Sequence, residues 1–479
     1  MARIVGALAC VCAAFVLCCS AAANLIVGIN DDAKYEASVP SFFMPTMASE
    51  GLKLNALTIR WDETSPTPID PGLQASISQV LSSAQSDGVT VELDLYPLHS
   101  QVFTDGQHCS PSTSPVACGD TARIQQFAAW TATVAQTFPS VHEFIVGNEC
   151  NQPLFLNPQW GSTGQNQSAE ICGRALAAAY DALKTVSSSN FVWGVGLSPR
   201  GNDSPTAPSN SSTSPVRFLG YLGAWFKAFA AKTGRTAPLM DGFDFHPYPV
   251  PQSLPFATGY ADQRDASISN LPRIYQAFYD GFNGSLQHTI GQQPGGGLPV
   301  SLNEMGIQTA ETNQLGYVNL EVSANAAGGV FGTFATQAYQ ATYYKETLAL
   351  LACDPNVQLI NIFHLVDEPN LAGWQSGLYE FSPVAPAPKL SATVVVTWLA
   401  QTGGACQGKM TSWQPTAPLT PPNPPRKLTK VKALKHMKTK LKPVKQAKNT
   451  HLTNEHLFAT VANTCSTIRS PRRFSGRSC

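Results

Sequence analysis

Short apolar runs alternate with amphipathic stretches from Asn24 to about Trp413. The runs are rich in Val, Ile, Leu and Phe, and polar residues do not alternate strictly with apolar ones along them. Strands that are buried on both faces, as in a parallel sheet, show this pattern. The sequence therefore predicts eight strands: Leu25–Ile29, Ala56–Trp61, Val89–Tyr96, Glu143–Glu149, Phe191–Leu197, Met240–His246, Leu298–Glu304 and Gln358–Leu365.

Helices are predicted between these strands. The first covers Pro71–Gln85, where apolar residues recur at helical spacing and Asp70 stands as a cap before the opening proline. The other predicted helices are Ala122–Phe138, Ala169–Val186, Val216–Lys232, Ala266–Phe282, Gln337–Cys353 and Leu390–Ala400.

Eight strands, each followed by helical sequence, predict an α/β fold of one particular kind. The arrangement indicates a (β/α)8 barrel, or TIM barrel, with loop insertions. An open, doubly wound sheet is the alternative. No Gly-rich phosphate loop follows the first strand, and eight repeats favour closure of the sheet into a barrel.

Charge divides the chain into two parts, although the formal net charge is zero. Residues 426–479 hold 14 of the 31 Lys and Arg residues and one acid, which leaves 17 basic and 30 acidic residues in residues 1–425. Residues 414–425 are Pro-rich and predict a semi-rigid linker between a barrel domain, residues 24–413, and a basic tail. We expect this tail to have little order, either simply solvated or acting as a tether to an anionic cell-wall polymer or membrane.

Residues 1–23 have the features of a secretory signal peptide. Arg3 supplies a positive charge, an apolar run extends from Ile4 to Cys19, and small residues precede Asn24. The run is shorter than the ~20 residues that a membrane-spanning helix needs. We therefore expect a secreted, extracellular protein with no nucleic-acid partner.

Eight of the 12 cysteines follow the signal peptide, and an even number is typical of disulfide-bonded exported proteins. The sequence alone does not fix their connectivity. No CxxC or HxxxH spacing is present, so we expect no metal site. Neighbours along the chain suggest the pairs Cys109–Cys118, Cys150–Cys172, Cys353–Cys406 and Cys465–Cys479.

Two glutamates close two of the predicted strands. The fourth strand ends in FIVGNE, at Glu149, and the seventh ends in VSLNE, at Glu304. Strand ends meet at the mouth of such a barrel, where catalytic groups lie. Each glutamate could be a structural ion-pair partner, because a buried carboxylate is costly unless it is paired. Together they suit glycosidic bond cleavage, with the carboxyl groups about 5–5.5 Å apart for retention or about 6.5–9.5 Å apart for inversion.

With these residues the chain resembles clan A of the glycoside hydrolases, a group of retaining (β/α)8 enzymes that includes families five and thirty-nine. The resemblance covers roughly residues 24–400. It implies that Glu149 is the general acid/base, that Glu304 is the nucleophile, and that Asn148 binds the sugar 2-hydroxyl. The clan commonly has Pro after the acid/base, where this chain has Cys150. A bond to Cys172 would brace that loop instead.

The resemblance implies five further residues of the substrate site. A His-x-Tyr sequence after strand six lines the clan's sugar site, and here it is His246 and Tyr248. The Tyr248 phenol is expected to hold the nucleophile and to keep its pKa low. Arg60 is expected to support the nucleophile, His99 to be a site histidine, and Trp374 to form a platform under a sugar. Each also has a plainer interpretation as a core or surface residue.

These features predict a secreted retaining glycoside hydrolase that cleaves O-glycosyl bonds of a β-linked oligo- or polysaccharide and needs no metal or organic cofactor. Two alternatives stay open. An inactive barrel could bind carbohydrate or act at a surface without cleaving anything, because fold does not determine function. An aldolase-like enzyme would need a Schiff-base Lys at a strand end, and none of the eight predicted strands ends in Lys.

Overall fold

Eight parallel strands close into a barrel in the order in which they follow along the chain. The computed structural model describes residues 24–104, 121–207, 211–250, 254–291, 297–309, 335–370, 373–382 and 385–416. The first and last strands close the barrel by pairing Ile26 with Leu359, which confirms the predicted (β/α)8 fold. The strands are β1 (Ile26–Asp31), β2 (Leu54–Trp61), β3 (Thr90–Pro97), β4 (Glu143–Val146), β5 (Phe191–Leu197), β6 (Gly242–Phe245), β7 (Val300–Met305) and β8 (Val357–Phe363).

Helices alternate with these strands along the chain. The seven predicted helices are confirmed with small differences at their ends, and the one predicted over Ala266–Phe282 begins with a 3-10 turn at Ile268–Asn270. Two short helices after β1 escape prediction because neither is long enough to show a helical period. The helices are α1 (Ala33–Ser38), α2 (Phe43–Glu50), α3 (Pro71–Asp87), α4 (Thr121–Thr137), α5 (Ser168–Val186), α6 (Pro215–Thr233), α7 (Leu271–Phe282), α8 (Gln337–Leu351) and α9 (Leu390–Thr402).

The ends of α3 show why the sequence predicts its bounds. The Asp70 carboxylate accepts the Leu73 backbone N–H at 2.8 Å, and Pro71 occupies the first helical position, where no N–H is required. Gly88 follows the last turn with a φ of 70°. This left-handed backbone favours glycine, so the helix stops there.

Polar side chains are buried among apolar ones in the interior of the barrel. The Asn361 side chain donates to Glu92 Oε1 at 2.7 Å and to Asn303 Oδ1 at 2.8 Å. All three of these polar residues are fully buried. A separate apolar cluster includes Leu54, Ile145, Trp193 and Leu359.

Two of the four suggested disulfides are present. Cys150–Cys172 joins the loop after β4 to α5, and Cys353–Cys406 joins the end of α8 to the segment after α9. The other two suggested pairs, Cys109–Cys118 and Cys465–Cys479, lie outside the described residues.

The described chain begins at the amino-terminal side of the barrel and ends against the outside of α7. The backbone N–H of Leu25, just before β1, donates to the Gly404 carbonyl at 3.0 Å. The chain then continues outside α7, where the Thr416 hydroxyl donates to Gln276 Oε1 at 3.0 Å and Trp413 packs edge-on against Tyr275. A short ribbon of β9 (Tyr379–Glu380) and β10 (Ala387–Pro388) precedes α9.

The predicted signal peptide, the linker beyond residue 416 and the basic tail lie outside the described residues. Among the helices that the structure does describe, none combines the length and apolar character that crossing a membrane requires.

Candidate active site

Two carboxyl groups meet at the mouth of the barrel. Glu304 is in β7, and Glu149 lies just beyond the end of β4, after a tight bend. In that bend Gly147 has a φ of 92° and Glu149 a φ of 39°. The Glu149 N–H donates to the Gly196 carbonyl at 2.6 Å. A positive φ is strained for a residue with a side chain, so the surrounding fold must hold the Glu149 backbone in this conformation.

His246 lies between these two carboxyl groups. Its Nδ1 is 3.4 Å from Glu149 Oε1 and 3.5 Å from Glu304 Oε2. The two oxygens are therefore separated by less than about 7 Å, which is below most of the range that inverting enzymes use. The two glutamate side chains are 15% and 14% exposed, so a small molecule can reach both, whereas His246 is 1% exposed.

The surroundings of His246 favour its charged form. Burial of the ring opposes a charge, but the carboxylates around it, Glu304 before Asp244 and Glu149, outweigh burial and raise the pKa of His246 well above its usual value. Gly196 makes room for the ring, because a Cβ at that position would stand 3.0 Å from His246 Nε2.

Tyr248 holds Glu304 as the sequence predicts. Its hydroxyl donates to Glu304 Oε2 at 3.1 Å. The expectation that this bond keeps the pKa of Glu304 low is wrong in its net direction. Burial raises that pKa above the usual value and Glu149 adds to the increase, while His246 and Tyr248 lower it without outweighing burial.

An aromatic wall stands beside Tyr248. The Trp374 ring centroid lies 5.2 Å from that of Tyr248 and 5.5 Å from that of Phe363. The rings of Tyr248 and Phe363 meet edge-on, with their centroids 6.3 Å apart. Trp374 is only partly buried. The structure therefore brings Trp374 next to the residue that binds Glu304, although it follows the end of β8 by several positions.

Asn148 comes immediately before Glu149 in the chain, and it is 6% exposed. Its Oδ1 is buried and makes no hydrogen bond to any described residue. An unpaired buried amide oxygen costs free energy, and buried polar groups are normally bonded. This oxygen therefore has unused capacity to accept a hydrogen bond.

The structure does not join Arg60 and His99 to the carboxyl pair. Arg60 is exposed at the end of β2, and among the described residues it forms no ion pair with Glu304. His99 is half exposed, and its Nδ1 lies 3.0 Å from Glu63 Oε2, which raises the pKa of His99. In the described chain, one group of three possible metal ligands has its ligand atoms within 4.8 Å of one another, and its members are Asp62, Glu63 and His99. This group forms part of the rim.

Three residues near the carboxyl pair were missed by sequence reasoning. Asp244 and Asp94 are buried acids on β6 and β3, and Asp244 Oδ2 lies 3.3 Å from His246 Nε2. Their signal was available, because an acid inside an apolar strand needs a reason, and Asp244 shares a face with His246 two residues on. Phe363, at the end of β8, gives no such signal because it is apolar within an apolar run.

No protein-family model matches the chain, and no curated protein sequence matches it. Several solved structures, however, do match the chain. The β-glucosidase from Thermotoga maritima in complex with noeuromycin has a TM-score of 0.51 and 10% identity, with 80% of this chain and 99% of that chain covered. The same enzyme in complex with deoxynojirimycin gives 0.50 and 11%, with 80% and 98% covered.

A family 39 glycoside hydrolase from Bacteroides cellulosilyticus WH2 is matched at a TM-score of 0.48 and 15% identity over 78% of this chain. The match spans 63% of that protein, less than two thirds of its length. The Thermotoga matches show that this chain has the same barrel fold as a β-glucosidase, which is the fold that the resemblance to clan A implies.

Proposed function

We propose that this protein is a retaining glycoside hydrolase that cleaves O-glycosidic bonds in a β-linked glycan. The observation that carries the proposal is the meeting of Glu149 and Glu304 at the mouth of the barrel, each within 3.5 Å of the same nitrogen of His246. Their separation, less than about 7 Å, supports direct attack by one carboxylate more than attack by an interposed water.

Glu304 is the nucleophile in this proposal. Its carboxylate oxygen forms a bond to the anomeric carbon while the bond from that carbon to the leaving oxygen breaks, and Glu149 gives its proton to that oxygen. In the second step Glu149 takes a proton from water, and the water oxygen displaces Glu304 from the anomeric carbon. No redox or metal step is needed for this balance.

The hydrogen bond from Tyr248 supports the role of Glu304. It fixes one carboxylate oxygen and leaves the other available for attack. Because burial raises the pKa of Glu304, its ionised form must be gained as pH rises, and we expect activity to fall on the acidic side accordingly.

The aromatic wall supports a sugar substrate. Trp374, Tyr248 and Phe363 together offer ring surface beside the nucleophile, and aromatic faces suit the apolar C–H face of a pyranose. Asn148 has a buried, unbonded Oδ1 that a sugar hydroxyl would satisfy. In the proposal Arg60 and His99 bind more distant parts of the glycan at the rim. The likeness in fold to a β-glucosidase supports the β-linkage.

We also propose that the protein is secreted. The signal-like residues 1–23 and two disulfides in the described chain support export. The basic residues after 426 would then bring the barrel to an anionic surface that carries its substrate.

The test is hydrolysis of a panel of β-linked glycans and aryl β-glycosides by the full chain and by Glu304→Gln and Glu149→Gln. We expect both variants to lose at least about 10³-fold in kcat/KM on the substrate that the wild type cleaves. Glu346→Gln, an exposed glutamate on α8, is the matched control and should behave as wild type. Full activity in Glu304→Gln would refute the assignment of the nucleophile.

A second readout separates the two glutamates. On an aryl glycoside whose leaving group needs no proton, Glu149→Ala should form the glycosyl-enzyme quickly and should be rescued by azide, which gives a glycosyl azide of retained configuration. The Glu304→Ala variant should instead give the inverted azide. A wild type that binds one panel member but cleaves none would favour the inactive, carbohydrate-binding barrel.

A further inference from the structure

Both ring nitrogens of His246 face carboxyl groups. Nδ1 faces Glu149 and Glu304 at 3.4 and 3.5 Å, and Nε2 faces Asp244 at 3.3 Å. A neutral imidazole carries a hydrogen on one nitrogen and a lone pair on the other. In the neutral form one nitrogen lone pair would point at a carboxylate, so the geometry favours the ring that is protonated on both nitrogens.

We propose that Asp244 is a positioning residue that holds His246 in its charged form between Glu149 and Glu304. The proposal rests on the function proposed above for the two glutamates. Asp244 would act through His246, since it is fully buried on β6 and below the mouth, out of reach of a substrate.

Asp244 is held rigidly for this task. Its Oδ1 accepts the backbone N–H of Asn303 at 3.0 Å, next to Glu304 on β7. Its Oδ2 makes no hydrogen bond to any described residue and lies 3.3 Å from His246 Nε2. One bond anchors the side chain and the other oxygen is left for the imidazolium.

The other charged groups around His246 do not replace Asp244. Glu149 after β4 and Glu304 on β7 change charge during the proposed reaction. Asp94 on β3 is buried beneath them, and burial and Glu304 raise its pKa well above the usual value, so it adds little negative charge. Tyr248 faces the site as a neutral hydroxyl. Asp244 is thus the carboxyl group that lies against the ring, 3.3 Å from Nε2, and takes no part in either step.

A fixed imidazolium would serve each step differently. In the first step it favours the ionised form of Glu304, the form that attacks. Once Glu304 is esterified it has no charge, and the same imidazolium then favours ionised Glu149, the form that accepts a proton from water. The charge on His246 therefore helps Glu149 to change from acid to base.

The direct test is a histidine titration by NMR. The full chain, labelled at the histidine Cε1, is compared with Asp244→Asn, and the His246 signal is identified by its loss in His246→Asn. We expect wild-type His246 to titrate well above the ordinary range of a histidine, and its midpoint to fall by at least about one pH unit in Asp244→Asn. Glu92→Gln, which alters another fully buried acid of the barrel interior that does not contact His246, should leave the midpoint unchanged.

A neutral His246 at pH 7 in the wild type would overturn the proposal. This outcome needs no variant, so the proposal can be tested even if Asp244→Asn folds poorly. An unchanged midpoint in a folded Asp244→Asn would overturn it equally. The titration needs no turnover, so its outcome is distinct from that of the glycosidase assays.

Discussion

Two buried charge clusters on the mouth side of the barrel are built in opposite ways. The first surrounds Lys389, whose side chain is 1% exposed and lies beside Asp367, which is 7% exposed. The Lys389 Nζ donates to Asp367 Oδ1 at 2.6 Å, to the Thr309 hydroxyl at 3.0 Å and to the Gln375 carbonyl at 3.1 Å. All three ammonium hydrogens are used.

The second cluster surrounds His246. It is as deeply buried, yet its contacts with three carboxyl groups are 3.3 to 3.5 Å long and do not have hydrogen-bond geometry. Atoms of Asp244, Asp94 and Asn148 are also buried without a bond to any described residue. Buried polar groups are normally bonded, so the exceptions require an explanation.

Under the proposed function, the difference separates a structural cluster from one that serves the reaction. The Lys389 cluster ties together the loops after β7 and β8 and the start of α9, and nothing further is needed to stabilise it. The His246 cluster opens to the mouth through Glu149 and Glu304, which are partly exposed and which a substrate would meet in the proposed function. Violations of local rules are expected where function needs them.

The largest expected effect is on the structural cluster. Lys389→Met removes one partner and leaves the Asp367 carboxylate buried, so we expect the free energy of unfolding to fall by about 3–5 kcal/mol. Urea denaturation followed by circular dichroism measures it. The double variant Lys389→Met with Asp367→Leu should regain part of the loss, because no unpaired charge remains. A single variant as stable as wild type would show that the cluster is not structural.

The next effect concerns stability against pH, and it comes from a second buried histidine. His364 Nδ1 contacts the Asn30 carbonyl at 2.8 Å. Burial opposes its charge, but Asp31 and Glu368 outweigh burial and raise the pKa of His364 to about 9. A raised histidine pKa stabilises the fold below pH 6.5, and this stabilisation is lost as pH rises toward 9.

Between pH 6 and pH 9.5, we therefore expect the free energy of unfolding to fall by about 2–3 kcal/mol less in His364→Asn than in the wild type. Urea unfolding at the two pH values measures the difference. The fall that remains in the variant belongs to the other groups with raised pKa values, His246 foremost. Equal falls in wild type and variant would show that His364 is not charged.

The smallest expected effect is that of Tyr248→Phe. The loss of its hydroxyl raises the pKa of Glu304 further, so the acidic limb of kcat/KM should move to higher pH and activity near neutral pH should fall by about tenfold. Tyr180→Phe is the control, since that hydroxyl donates to Asp241 away from the mouth and should affect stability alone. Identical pH profiles for wild type and Tyr248→Phe would contradict this role.

The sequence predicts the barrel well because its signals are local. Apolar runs give the strands, and Asp70 before Pro71 gives a helix start. Glu149 and Glu304 stand out because each is a charged residue at the end of an apolar run. The direction of the pKa shift of Glu304 is a different kind of property, since it depends on how burial compares with the Tyr248 bond, and only the folded chain fixes that balance.

Other parts of the site are not encoded locally. Trp374 reaches Tyr248 through a loop whose course depends on the Lys389 cluster, and the sequence gives only its distance along the chain. Arg60 and His99 stand at strand ends as predicted, but which groups they contact is decided by the rim loops. Asp244 could have been assigned from its position two residues before His246, because alternate residues of a strand share a face.

Both chain ends of the described barrel lie away from its mouth. Leu25 is bonded to the Gly404 carbonyl at the amino-terminal side, and Thr416 is bonded to α7 on the outside. A solid support or a fused partner attached at the Leu25 end would therefore hold the protein with its opening turned outward. Immobilised in this way, the barrel would present its mouth to insoluble material, and the attachment would stand on the opposite face.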